Sequence, residues 1–361
     1  MEVTETLYRR PLPDDAIPFG SDEGRRLFGE ALAAGGLGGY FALAEQYHTQ
    51  SDPAFCGLSS LVVALNALAI DPGRLWKGPW RWFSEEMLDC CVSLEEVRVR
   101  GVDLDTVACL ARCNRADAEV ARPGADAAGL RAAITDACAA PGTVIIAGYD
   151  RSVLGQTGAG HFSPIGGYHA ARDLVLVLDV ARFKYPPHWI ALDRLDAAMR
   201  TIDPSNGLSR GWVRLRRRAG ADGVSLSLAC AGDSWRQLAA RLRAALTAPW
   251  SADTSLATIA ASLAELTNHC MLRRPDAPDH AAAVARAVDA LRATEAYRIA
   301  GDEATAALLL LFAREHAAPP GPLADGLARL AAEAAAHPLL AAELDQLGAQ
   351  SQALRALAFG P

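Results

Sequence analysis

The chain has 361 residues, is 51% hydrophobic and 21% charged, and carries a formal net charge of −7. That composition is globular and excludes a disordered or fibrous protein, while the acidic balance argues against a broad nucleic-acid-binding face. No apolar run approaches the ~18 residues needed to cross a membrane. The opening MEVTETLYRRPLPDD has no apolar core behind its arginines, so it does not read as a secretory signal. A cytoplasmic location is expected, with the eight cysteines kept as thiols rather than disulfides.

In chain order, Gly57 to Ile70 carries Leu58, Leu61, Val62, Leu65 and Leu68 at helical spacing and is stopped by Asp71-Pro72-Gly73. Asp103 to Cys113 reads as a short helix. Thr143 to Tyr149, Phe162 to Tyr168 and Leu174 to Val180 read as strands, and Leu192 to Thr201 as a helix. Near residue 220 the composition shifts. Six of the eight cysteines lie between Cys56 and Cys138, whereas residues 239–361 hold 39 alanines among 123 residues. Helices are expected over 235–246, 255–272, 279–300, 302–316, 322–337 and 338–357, packed through Ala/Leu faces. The chain therefore reads as α+β: a catalytic domain over 1–220, then an alanine-rich, all-helical region over 221–361.

Cys56 stands where the loop Gln50-Ser51-Asp52-Pro53-Ala54-Phe55 meets the first of these helices. Amide dipoles at a helix N-terminus favour thiolate, the form that attacks carbonyls. Gln50 is placed to donate an amide hydrogen to the resulting oxyanion. Taken alone, such a cysteine is more often a small buried residue. His161 changes the balance. Gly158, Gly160, Gly166 and Gly167 surround it, which allows backbone and ligand to approach closely. A hairpin closed near residues 170–171 sets His161 opposite residues 179–181, on the face of Asp179. Gln50, Cys56, His161 and Asp179 then form an acyl-transfer set of papain-like arrangement.

The runs QSDPAFCGLSSLVVALNALAIDPGRLWKGPWRWFSEEMLDCC, GQTGAGHFSPIGGYHAARDLVLVLDVARFKYPPHWI and IDPSNGLSRG resemble phytochelatin synthases, the glutathione γ-glutamylcysteinyltransferases, over about the first 220 residues. The resemblance implies a papain-like fold and synthesis of (γ-Glu-Cys)n-Gly peptides from glutathione in the presence of heavy-metal ions. It implies Cys56 as nucleophile, His161 as general base and acid, Asp179 as its orienting carboxylate and Gln50 at the oxyanion position. Asp203 and Arg210 match residues that grip the γ-glutamyl amino and carboxylate groups. Gly160 falls in the same substrate-binding stretch. Arg182 and Lys184 match positions that bind the second, anionic substrate. Plain ion pairs or solvated strand-end charges are the simpler readings of these four charged residues.

Cys90-Cys91 is a vicinal pair, and Cys109 and Cys113 lie four apart on one helical face. Soft thiolates at such spacing suit cadmium, zinc or copper(I), although core packing explains them as simply. Both pairs match cysteines of plant-type family members. The metal activator is expected to act either at these thiols or as a metal–bis-glutathione complex taken as substrate. The cysteine-poor C-terminal region is expected to support the catalytic part or to form a homodimer. Glutathione, phytochelatin peptides and metal ions are the expected partners, with no organic cofactor, nucleic acid or membrane. The alternatives are a glutathione hydrolase releasing γ-Glu-Cys and glycine, and a thiol-rich metal sensor without turnover. Of the weaker signals, Gly35-Gly36-Leu37-Gly38-Gly39 reads as a flexible loop near the active-site approach. Arg214 to Arg218 reads as a solvated strand or linker. Trp76, Trp80 and Trp82 read as core or groove-wall packing.

Overall fold

The structure is a computed structural model that describes residues 9–124, 127–219, 226–230, 235–267, 270–316 and 318–357. The boundary expected at 220/221 lies outside the described residues.

The first part opens with β1 (Ile17–Pro18), α1 (Asp22–Ala33) and α2 (Tyr40–Gln46). Next come α3 (Cys56–Ala67), α4 (Leu94–Arg100), α5 (Leu104–Cys113), β2 (Ala116–Ala121) and α6 (Ala128–Ala139). The hairpin strands β3 (Thr143–Asp150), β4 (Gly160–His169) and β5 (Leu174–Val177) follow. Then come β6 (His188–Ala191), α7 (Leu192–Met199) and β7 (Gly211–Arg217). The strands form one antiparallel sheet in the order β1-β6-β5-β4-β3-β7-β2. Its two faces are read directly from alternation. Val144 and Ile146 of β3, with Val213 and Leu215 of β7, face α3 and α5. Ile145, Ala147 and Tyr149 turn to the other side, with Leu130 and Ile134 of α6 and Leu195 of α7. Between Ile165 and Gly167 the β4–β5 register shifts by one residue, a β-bulge. Asp103 caps α5 by accepting from the Thr106 amide at 2.8 Å, a bond worth roughly 1 kcal/mol.

The second part contains β8 (Ser227–Cys230), α8 (Trp235–Thr247), α9 (Leu256–Thr267), β9 (Cys270–Arg273) and α10 (Ala281–Ala293). It closes with α11 (Glu295–Ala300), α12 (Glu303–Glu315), α13 (Pro322–Ala335) and α14 (Pro338–Leu357). The helix expected over 255–272 stops at Thr267, because Cys270–Arg273 pairs antiparallel with β8 instead. The region is thus helical with one short ribbon. The helix expected over 279–300 breaks at Thr294, whose hydroxyl accepts from the Tyr297 amide and caps a new helix. The last helix, α14, returns to the first part. Gln346 Nε2 donates to the Cys113 carbonyl at 3.0 Å. Gln350 spans Leu228, its carbonyl oxygen accepting from the amide and its Nε2 donating to the carbonyl, both at 2.7 Å. Glu343 accepts the Leu226 amide at 2.6 Å.

Two sequence expectations are corrected here. Trp76, Trp80 and Trp82 are 42%, 69% and 42% exposed, so they are not core. The segment holding them is tied by Arg81, whose Nη2 lies 3.2 Å from Asp71 and whose Nη1 lies 2.5 Å from Asp279 of the second part. The glycine-rich turn is no open loop either. A Cβ on Gly36 would stand 2.0 Å from the Tyr168 carbonyl oxygen, and one on Gly38 2.3 Å from that of Ala139. These glycines let the turn between α1 and α2 approach the backbone of β4 and of the α6 C-terminus. Arg214 to Arg217 form the end of β7, as expected of a strand, and Arg218 follows it; Arg214 lies 3.0 Å from Asp136.

Candidate active site

Cys56 is the first residue of α3, after a loop tied down at several points. The Gln50 amide donates to the Val180 carbonyl at 3.0 Å, and the Tyr47 hydroxyl donates to the Asp179 carbonyl. Glu85, buried beneath, accepts from the Ser51 amide at 3.1 Å, the Ser51 hydroxyl at 2.6 Å and the Ser59 hydroxyl. Those hydrogen bonds, together with His48, outweigh burial and hold the Glu85 carboxyl down at about 2.

β4 brings His161 to this helix terminus, and the chain just after β5 brings Asp179. His161 Nε2 lies 3.0 Å from Asp179 Oδ1, and both residues are buried. Burial pushes the Cys56 thiol up. The charge of His161, hydrogen bonds to His161 and the Phe162 backbone, and the charge of Arg151 more than offset it and leave the thiol below its ordinary value. Burial and Arg151 push the His161 imidazole down. Asp179 and Cys56 push it up, and it ends above its ordinary value. Asp179 is held well below the carboxylate range despite its burial, by His161 and Arg151. The site thus favours thiolate beside imidazolium.

Arg151 was not singled out in the sequence. It is 3% exposed, its Nη2 lies 2.8 Å from His161 Nε2 and it donates to Asp179 Oδ1 at 2.9 Å. Asp179 Oδ2 takes no hydrogen bond among the described residues; it faces Arg151 Nη2 at 2.8 Å as an ionic contact. Behind it, Arg151 Nη1 donates to Gln156 Oε1 at 2.9 Å, and Gln156 Nε2 meets His188 Nε2 at 3.0 Å. The ring of His188 reaches the Pro186 carbonyl through Nδ1 at 2.9 Å, so Nε2 is left to accept from Gln156. The one signal for this network is an arginine opening the loop between the two strands that flank the site.

Gln50 sits beside Cys56 in sequence and is buried, but its Nε2 donates to the carbonyls of Asp52 at 2.8 Å and Pro53 at 2.9 Å. Both of its hydrogens brace the loop in this conformation. Asp203 Oδ2 accepts from Arg210 Nη1 at 2.9 Å, and a Cβ on Gly160 would stand 2.5 Å from that same Nη1. The pair therefore borders the residue before His161. Arg182 stacks over Tyr47, 4.9 Å from the ring centroid. Lys184 Nζ donates to the Thr157 carbonyl at 2.6 Å, on the loop that carries Arg151.

The four other cysteines of interest gather elsewhere in the core. Cys91 and Cys109 form a disulfide, which corrects the expectation of thiols throughout. Packing of α5 against the 88–92 segment brings their Cα atoms to 6.4 Å, within disulfide range. The two expected pairs, Cys90/Cys91 and Cys109/Cys113, are one cluster, with Cys91 Sγ 2.9 Å from Cys113 Sγ.

A thiol at a helix N-terminus, aligned with an imidazole and a carboxylate from an adjoining antiparallel sheet, is the arrangement of the papain-like cysteine-nucleophile class. The family model for phytochelatin synthase matches residues 7–212. This chain belongs to the phytochelatin synthase family. It is 50% identical over 235 residues to glutathione gamma-glutamylcysteinyltransferase 3 of Lotus japonicus, covering 64% of this chain and 49% of the relative. It is 51% identical over 243 residues to glutathione gamma-glutamylcysteinyltransferase 1 of Triticum aestivum, covering 66% and 48%. The enzyme of that name from Schizosaccharomyces pombe is 42% identical over 216 residues, covering 59% and 52%. The chain spans about half the length of the curated relatives it matches. Among the described residues, no helix is long and apolar enough to cross a membrane.

Proposed function

We propose that this chain is a glutathione γ-glutamylcysteinyltransferase that makes phytochelatins. The observation that carries the reading is the lowered Cys56 thiol joined to the His161–Asp179 pair. The thiolate attacks the Cys–Gly amide carbonyl of glutathione. The first amides of α3 have no intrahelical acceptor and face the forming oxyanion, and Gln50 joins them if it releases one loop carbonyl. His161 gives its proton to the departing glycine amine, which leaves γ-Glu-Cys as a thioester on Cys56. The α-amine of a second glutathione or of a growing peptide then attacks, and His161 takes up its proton. Asp203 and Arg210 offer one anion and one cation to the zwitterionic γ-glutamyl end, next to Gly160. Arg182 and Lys184 supply positive charge for the acceptor. Heavy-metal ions enter as activators, either in the glutathione thiolate that serves as acceptor or at the cysteine cluster.

The test is incubation with glutathione, with and without cadmium, and separation of thiol products by mass. Cadmium-dependent peptides longer than γ-Glu-Cys-Gly support transfer. Only γ-Glu-Cys and glycine would support the hydrolase. No turnover, or full activity in Cys56→Ser, would overturn the mechanism.

A further inference from the structure

The loop over residues 151–159 joins β3 to β4, the strand that carries His161. Its backbone closes on itself: the Arg151 amide donates to the Ala159 carbonyl at 3.0 Å, and the Gln156 amide to the Arg151 carbonyl at 2.9 Å. The segment that follows Asp179 grips this loop from one side. The Arg151 guanidinium lies over Tyr185, 4.9 Å from the ring centroid, and the Tyr185 hydroxyl accepts from the Thr157 amide at 2.8 Å. His188, the first residue of β6, meets the Gln156 side chain at 3.0 Å. Arg151, Gln156, Tyr185 and His188 are all buried.

The hydrogen bonds along this line run in one direction only. A guanidinium only donates, so the Gln156 atom at Arg151 Nη1 is the oxygen. The Gln156 amine then faces His188 Nε2, which must accept and therefore carries no proton. The His188 proton sits on Nδ1 and goes to the Pro186 carbonyl at 2.9 Å. A second proton, on Nε2, would turn the amide over and set two donors, the Gln156 amine and Arg151 Nη1, against each other. The surroundings keep the ring neutral. Burial, with the charges of Arg151 and His161, outweighs Asp179 and the Pro186 carbonyl and holds the imidazole below its ordinary value. A ring that only filled space would need neither that tautomer nor that partner.

We propose that Gln156 and His188 are positioning residues of the acyl-transfer reaction: neutral His188 fixes the Gln156 amide, and the amide holds Arg151 against Asp179 and His161. Both act through Arg151. Without the Gln156 oxygen, Arg151 Nη1 loses the acceptor it has here, and the guanidinium turns from the catalytic pair to find water. Its charge then supports the Cys56 thiolate less and opposes the His161 imidazolium less. The inference rests on the acyl-transfer function proposed above, but its first readout does not depend on turnover.

The test follows Cys56 itself. Its alkylation by iodoacetamide in the full chain is mapped by mass as a function of pH, with no glutathione present. In Gln156→Met and in His188→Phe the alkylation midpoint should rise by about 0.4 pH unit, roughly a 2.5-fold slower reaction below that midpoint. Both limbs of the kcat/KM profile for glutathione should move upward by the same amount. His188→Gln returns an acceptor to the Gln156 amine and should recover most of the shift. Gln156→Met added to Arg151→Met should move the midpoint no further than Arg151→Met alone. A packing defect would instead lower the amount of active protein and leave the midpoints in place. If the variants fail to fold, nitrogen-15 spectra of labelled histidine in the wild-type chain serve: His188 should remain the neutral Nδ1–H tautomer down to about pH 6. Unmoved midpoints, additive shifts in the double variant, or a His188 protonated at Nε2 would overturn the proposal. If the alkylation shifts appear while wild-type protein makes no phytochelatin, the positioning role stands and the transferase reading falls.

Discussion

Arg151 Nη2 lies 2.8 Å from His161 Nε2, the ring nitrogen that also meets Asp179. A ring nitrogen that gives its proton to the carboxylate cannot accept another from the guanidinium, so a cation is held against the imidazolium. Arg151 stabilises the Cys56 thiolate and opposes the charged form of His161.

Removing that charge should therefore move both ionisations the same way. Activity is expected to rise with pH as Cys56 loses its proton and to fall as His161 loses its own. In Arg151→Met both limbs of the kcat/KM profile should shift upward by about half to one pH unit, the effect of one partly screened charge. A lowered activity with an unmoved profile would reduce Arg151 to a packing role.

Gly160 leaves room for the Arg210 guanidinium that faces Asp203. In Gly160→Ala the new Cβ should push Arg210 aside. The KM for glutathione should rise about tenfold, while the rate of Cys56 alkylation stays the same. Arg210→Ala should cost about 2–3 kcal/mol of substrate binding, as expected for a charge-assisted contact. Steady-state kinetics and iodoacetamide labelling separate the two effects.

Glu85 ties the loop before Cys56 to α3 through three donors, the Ser51 amide and hydroxyl in the loop and the Ser59 hydroxyl on the helix. Its carboxyl is lowered to about 2 in the folded protein, so the stability it contributes is present above its ordinary 4.5 and is lost as pH falls towards 2. Glu85→Gln should flatten the melting temperature between pH 5 and pH 3. Glu85→Ala should lose roughly 2 kcal/mol at pH 7, because it leaves the serine donors unmet. An unchanged acid slope in Glu85→Gln would refute the assignment.

Glu343 has the opposite sign. It is 1% exposed, and burial raises its carboxyl to about 7 despite the Leu226 amide and the charge of Arg115. Stability is full below its ordinary 4.5 and is lost as pH rises through 7, by up to roughly 3 kcal/mol once the group is ionised. Glu343→Gln should melt higher than the wild type at pH 8 and about equally at pH 4, by calorimetry.

Cys56, His161 and Asp179 were legible in the sequence because each rests on a local signal: a thiol opening an amphipathic helix, and a hairpin that returns the chain after β5 beside the start of β4; the bulge that puts the two side chains on one face was not legible. The long C-terminal helices were legible for the same reason. Arg151 was not. A buried arginine after a strand looks like any loop cation until Gln156, His188 and Asp179 fold around it. Nor did spacing reveal that Cys91 joins Cys109, since that contact depends on α5 packing against a distant segment. The β8–β9 ribbon was missed because CMLR lacks strand alternation and is held by its partner strand. The tryptophans misled because bulk suggests burial, whereas their loop lies on the surface.

The bulge in β4 has a further consequence. Beyond it, Tyr168 pairs with Val175 and His169 with Leu174; before it, Ile165 pairs with Val177, and the Leu178 amide reaches the Pro164 carbonyl. Extending the first register would set His161 opposite Arg182 and turn Asp179 to the far face. The extra residue resets the count, so His161 falls opposite Ala181 and shares its side with Asp179. Deleting one residue here would leave every side chain of the site in the sequence and still part the imidazole from its carboxylate. The strand works as a ratchet with one tooth, and that tooth sets which acid the histidine meets.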